Sequence, residues 1–127
     1  MDESPVPPPP SLTVHSAEPS PDHTLLTLSG DLDVATAGQF GDRLAEALAG
    51  GCRQLDVDLA AVGFCDVVAF NLLLAAGRTM RGRRGTLRIL DACWSVERMA
   101  ALFEVHDLLT LAPTETVTEA PGAGVGG

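Results

Sequence analysis

Two short runs near the start of the chain, "LTVHSAE" and "HTLLTLSG", set β-branched and apolar residues in partial alternation around the turn-rich "PSPD". This pattern predicts an antiparallel hairpin over residues 12–17 and 23–29. The period then lengthens: Ala37, Phe40, Leu44 and Leu48 recur at helical spacing, so a first helix is predicted over 37–49. Thr36 with Gln39 has the spacing of a capping box at its start, and Gly50-Gly51 stops it. "RQLDVDLAAV" is a β-type run that leads through Gly63-Phe64-Cys65 to Asp66, whose carboxylate is placed to cap a second helix running from Val67 to Met80. On that helix Asn71, Ala75, Arg78 and Gly82 trace one narrow face, while Val67, Val68, Phe70, Leu72, Leu73 and Leu74 occupy nearly everything else, so it must be covered on several sides.

"GTLRILDAC" then predicts a strand, and "WSVERMAALF" a third helix with Ser95 as N-cap, Trp94 stapled against Met99, and Val96, Met99, Ala100 and Phe103 as its apolar stripe. "HDLLTLA" offers a closing strand or turn. The order β-β-α-β-α-β-α, with that possible closing strand, predicts an α/β fold. Its parallel strands would be joined by right-handed crossovers.

Composition limits what such a domain can do. Hydrophobic residues make up 46% of the 127, enough for one domain with a core, whereas 1–11 and 113–127 are rich in Pro, Gly, Ser, Thr and acids and are expected to be disordered tails. A formal charge of -9 argues against direct nucleic-acid binding. All eight basic residues are arginines, and six of them (Arg78, Arg81, Arg83, Arg84, Arg88 and Arg98) lie between positions 78 and 98. A helix end and solvated turn account for that cluster better than an anion site. No apolar run is long enough to span a bilayer, and no secretory signal pattern opens the chain, so a cytoplasmic protein is expected.

Few residues suggest chemistry. Cys52, Cys65 and Cys93 lack metal-ligand spacing, and an odd count suggests free thiols; a Cys65–Cys93 redox pair is the sharper, less favoured alternative. His15, His23 and His106 are scattered, so no metal is expected. Asp31 and Asp33 in "GDLD" fit turn chemistry, with Gly30 supplying unusual dihedrals, better than a catalytic pair. "GAGVGG" lacks the strand, helix and Lys of a phosphate loop, and "PVPPPP" is read as solvated tail. No cofactor is expected, and the chain is not expected to be an enzyme.

Five segments together carry a family resemblance: "LTLSGDLDVATAGQFGDRL", "LDVDLAAVGFCD", "FNLLLAAGR", "GTLRILDAC" and "VERMAALFEVHDLL". Over residues 12–112 the chain resembles the STAS domain of bacterial anti-sigma-factor antagonists. The resemblance implies an N-terminal hairpin followed by a parallel or mixed sheet of four to five strands with alternating helices. It also implies a partner, an anti-sigma factor of the serine kinase type, and hence partner switching in control of transcription. In the usual family pattern the aspartate at the head of the second helix is followed by Ser, then Ser or Thr, then Gly. Here Asp66 is followed by Val67, Val68 and Ala69.

Valine has no hydroxyl to accept a phosphoryl group, so Val67 is a degenerate phosphosite and the switch is absent at its usual place. The expected partner-binding residues are Asp33, Asp66, Val67, Val68 and Asn71. Two other roles stay open: a STAS domain repurposed as a redox or small-ligand sensor, or a scaffold for other STAS proteins.

Overall fold

The computed structural model describes residues 12–105 and 107–113. The expected tails, apart from Pro113, and His106 lie outside the described residues. The hairpin forms from β1 (Leu12–Ser20) and β2 (His23–Leu32), followed by α1 (Ala37–Ala49), β3 (Gln54–Cys65), α2 (Val67–Gly82), β4 (Thr86–Leu90), α3 (Trp94–Phe103) and β5 (Thr110–Ala112). The five strands lie in one sheet in chain order, β1 and β2 antiparallel and the other neighbours parallel. This is the mixed α/β sheet anticipated, and the closing strand is real.

Period-2 alternation explains the core. Leu26 and Leu28 of β2, Leu55, Val57 and Leu59 of β3, and Leu87 and Ile89 of β4 are all buried, together with Phe40 and Leu44 of α1 and Phe70, Leu73 and Met80 of α2. Along α2, Asn71, Ala75, Arg78 and Gly82 are exposed as the narrow-face reading requires. Gly77 lies where the chain before β5 crosses α2: a Cβ there would stand 2.8 Å from the Leu108 carbonyl oxygen. Among the described residues no helix is long and apolar enough to cross a membrane.

Several local expectations change. Both hairpin strands run longer than their alternation indicates, and β3 continues through Gly63, Phe64 and Cys65, which are strand rather than loop. Gly30, at a φ of 114°, accommodates a register shift between β2 and β3, and pairing resumes at Asp31–Phe64 and Leu32–Cys65. The register passes over Gly63, which forms a bulge between the paired Val62 and Phe64.

The capping box does not form: the Thr36 hydroxyl donates to the Asp31 carbonyl at 2.7 Å and accepts from the Asp33 N–H at 3.1 Å, leaving α1 without a side-chain cap. Gln39 donates instead to the Leu12 carbonyl and Arg43 to that of Val14, so α1 ties itself to the outermost strand and occupies edge acceptors.

At α3 the N-cap is Cys93, not Ser95, whose hydroxyl accepts from the Cys65 N–H at 3.1 Å. Trp94 is the first helical residue, 70% exposed, and carries the Arg98 guanidinium over its ring at 5.2 Å; a staple needs a residue ahead of the cap. Of the expected stripe, Val96 and Ala100 are buried and Met99 half-buried. Phe103 is half exposed with its ring 6.0 Å from that of Phe70.

The arginine cluster is likewise more structural than a solvated turn. Arg81 pairs with Asp107, Arg83 donates to the Leu48 and Cys52 carbonyls, and Arg88 lies in β4 against Asp56.

Candidate functional site

The site is built where β2 and β3 end side by side. Leu32 pairs with Cys65, and the Asp66 N–H donates to the Leu32 carbonyl at 2.9 Å, so the Asp33 turn and the head of α2 adjoin at one end of the sheet. Asp33 closes its turn on itself: one carboxylate oxygen accepts from the N–H groups of Ala35 at 3.0 Å and Thr36 at 3.2 Å. The turn reading of "GDLD" therefore holds for Asp33. Asp66, extended at φ -89° and ψ 179°, accepts from the Ala69 N–H at 3.0 Å, the N-cap its position predicts.

Beyond that cap the surface is apolar. Val67 and Val68, in the first turn of α2, are 49% and 42% exposed, and Asn71 is exposed one turn further along. Phe64 and Val34 are exposed as well, the latter in the Asp33 turn. The structure thus brings Asp33, Asp66, Val67, Val68 and Asn71 to one end and adds Val34, Phe64, Trp94 and Leu102, which periodicity did not single out as surface. Exposure of Phe64, one residue before the end of β3, has no periodic signal; the "GDLDVA" turn did hold one, since a valine beside turn formers has nothing to pack against.

Two hollows lie near this end of the sheet, one beside the Asp33 turn and one beside the helix head. One, of about 460 Å³, is lined by Ser29, Asp31, Asp33, Thr36 and Gly63 among others. The second, of about 280 Å³, runs between the end of β3 and α3, lined by Phe64, Val67, Trp94, Met99 and Leu102 with Asp66 and Arg98.

Reactive groups here are subdued. Cys65 is buried, and burial, then the Cys93 and Asp66 charges, push its thiol up to about 12, so little thiolate exists at neutral pH. Cys93 caps α3 with its sulfur 3.4 Å from the Ser95 hydroxyl, and all three cysteines are free thiols. Among the described residues no cluster of three or more His, Cys, Asp or Glu is arranged to hold a metal.

A dense polar cluster lies elsewhere, near the start of β3, and sequence spacing did not reveal it. Asp56, 1% exposed, accepts from Arg88 Nε at 2.9 Å and its terminal nitrogen at 2.7 Å, from His23 Nε2 at 2.8 Å, and from Gln54. Burial alone would raise its pKa; the hydrogen bonds from Arg88, His23 and Gln54, with the Arg88 charge, outweigh it and hold the carboxyl below its ordinary 3.8. His23 is accounted for by this pairing. The only available signal was register: His23 opposes Gln54, and Asp56 opposes Arg88.

With that geometry in place, the family model described as "Mlab, STAS domain" matches residues 15–111. The chain belongs to the STAS domain family. No curated protein matches this STAS chain in sequence. Solved STAS structures share its fold. An anti-sigma factor antagonist from Mycobacterium paratuberculosis superposes with a TM-score of 0.75 at 21% identity, covering 88% of this chain and 94% of its own. The Bacillus cell fate determinant SpoIIAA in its phosphorylated form gives 0.68 at 15%, covering 83% and 96%. The unphosphorylated form of SpoIIAA gives 0.68 at 16%, covering 83% and 92%.

Proposed function

We propose that this STAS domain is an anti-sigma-factor antagonist that binds an anti-sigma factor of the serine kinase type through the head of α2. It acts by binding rather than catalysis, in the cytoplasm, without contacting nucleic acid, and is not switched by phosphate at the usual position. One observation carries this reading: two exposed valines stand beside a capping aspartate where the family pattern has hydroxyls.

A phosphate there would add about -1.5 to -2 charge next to Asp66 and repel an apolar or acidic partner surface. Valine prevents that. Burying one of these side chains against a partner instead contributes on the order of 1.5 kcal/mol. The solved relatives include one phosphorylated antagonist, which supports phosphate as the switch this chain has lost. The raised Cys65 thiol speaks against the redox-sensor alternative.

The test is capture of partners from the native cytoplasm on wild type and on Val67→Ser, followed by incubation of each with the recovered partner and ATP. Both are expected to retain an ATP-binding anti-sigma factor, and only Val67→Ser to gain phosphate at residue 67. Recovery of no such partner by either form contradicts antagonism. Phosphate on wild type at Thr79 or Ser95 would mean a displaced switch; Thr36 is buried with its hydroxyl engaged and is not expected to react.

A further inference from the structure

Scattered apolar residues are ordinary on a protein surface, but here they share one groove. Between the end of β3 and α3, Phe64, Val67, Met99 and Leu102 line a hollow of about 280 Å³, with Trp94 standing on its wall. Trp94 is 70% exposed and Leu102 66%, although nearby Val96 and Ala100 of the same helix are fully buried. An exposed Trp with an Arg beside it has the composition of an interface hot spot.

The charges lining the groove select the occupant. They are one acid, Asp66, and one base, Arg98, whose guanidinium lies over the Trp94 ring. A partner surface of a single sign would attract one and repel the other. A two-fold-related copy presents the same pair in reverse and matches both, since an isologous contact sets each patch against itself.

We infer that this groove is a contact between two copies of the chain, with Trp94 of each seated against the groove of the other and Arg98 facing Asp66 of the second copy. The contact covers Asp66 and Val67. If those residues also bind the anti-sigma factor, as proposed above, the dimer and that complex exclude each other, and protein concentration takes the place of phosphate as the off signal. Each copy carries a formal -9, so long-range repulsion opposes pairing and added salt strengthens it.

Trp94 is the only tryptophan in the chain, so its emission reports this surface directly. Sedimentation of the full chain across the micromolar range, with emission and acrylamide quenching read on the same samples, is expected to show a monomer–dimer equilibrium. Emission should shift to the blue and quenching fall as dimer forms. Leu102→Asp should weaken association by about tenfold or more. Arg98→Asp and Asp66→Arg should each weaken it, and the two together in one chain should restore it.

A chain that stays monomeric throughout overturns the inference. So does a dimer that leaves Trp94 emission unchanged, or one that Leu102→Asp leaves intact. None of these readouts involves an anti-sigma factor, so failure of antagonism and failure of the dimer are separately visible.

Discussion

β3 has an aspartate near its start and another just past its end, and the surroundings of the two are opposite. Asp56 is almost fully covered, and three side chains from β2, β3 and β4 converge on it. Asp66 has one capping bond and is flanked by exposed valines. A buried charge with all its partners supplied contributes to folding and offers nothing to a partner, whereas apolar area left in water around a single cap contributes little to folding and is available for binding. The pair separates what holds this domain together from what it presents.

The largest effect is expected at the first of them. Asp56→Ala leaves Arg88 and His23 facing a buried gap and should cost about 3 kcal/mol, the lower end for such a loss because Arg88 is partly solvated; urea unfolding measures it. The same carboxyl sets an acid limb. Its folded pKa lies below 3.8, so its contribution is complete above that value and is lost as pH falls through the folded pKa. Asp56→Asn should flatten the decline of stability with pH below about 3.8, as followed by thermal melts across that range.

At the other aspartate, Asp66→Ala should cost only about 1 kcal/mol, the worth of one helix cap. Val67→Ser should change stability by less than about 0.5 kcal/mol, since the residue is half exposed. A Val67→Ser cost as large as that of Asp56→Ala would erase the contrast, because the helix head would then be core.

The sequence made one of these regions visible and hid the other. Asp66 stands immediately before a long apolar helical run, so its cap could be read locally, as could the missing hydroxyls after it. Asp56 draws its partners from residues 23, 54 and 88, and only strand register joins them. Most fold elements were legible because Phe40, Leu44, Phe70 and Leu73 keep helical spacing, and the Gly50-Gly51 pair and the turn from Gly82 to Gly85 punctuate the chain. Caps failed where a long-range partner won: Gln39 donates to the Leu12 carbonyl, and the Ser95 hydroxyl accepts from the Cys65 N–H. The staple of Trp94 on Met99 required Ser95 as the cap; with Cys93 in that place Trp94 is the first helical residue, 70% exposed with Arg98 over its ring.

The central claim is that the apolar head of α2 binds the partner and escapes the phosphate switch. Titration calorimetry with the recovered anti-sigma factor, before and after incubation with ATP, tests it most directly. Wild type should keep its affinity after ATP while Val67→Ser loses at least about tenfold. Equal loss of affinity by both proteins, or wild-type binding undiminished by Val67→Asp, would contradict it.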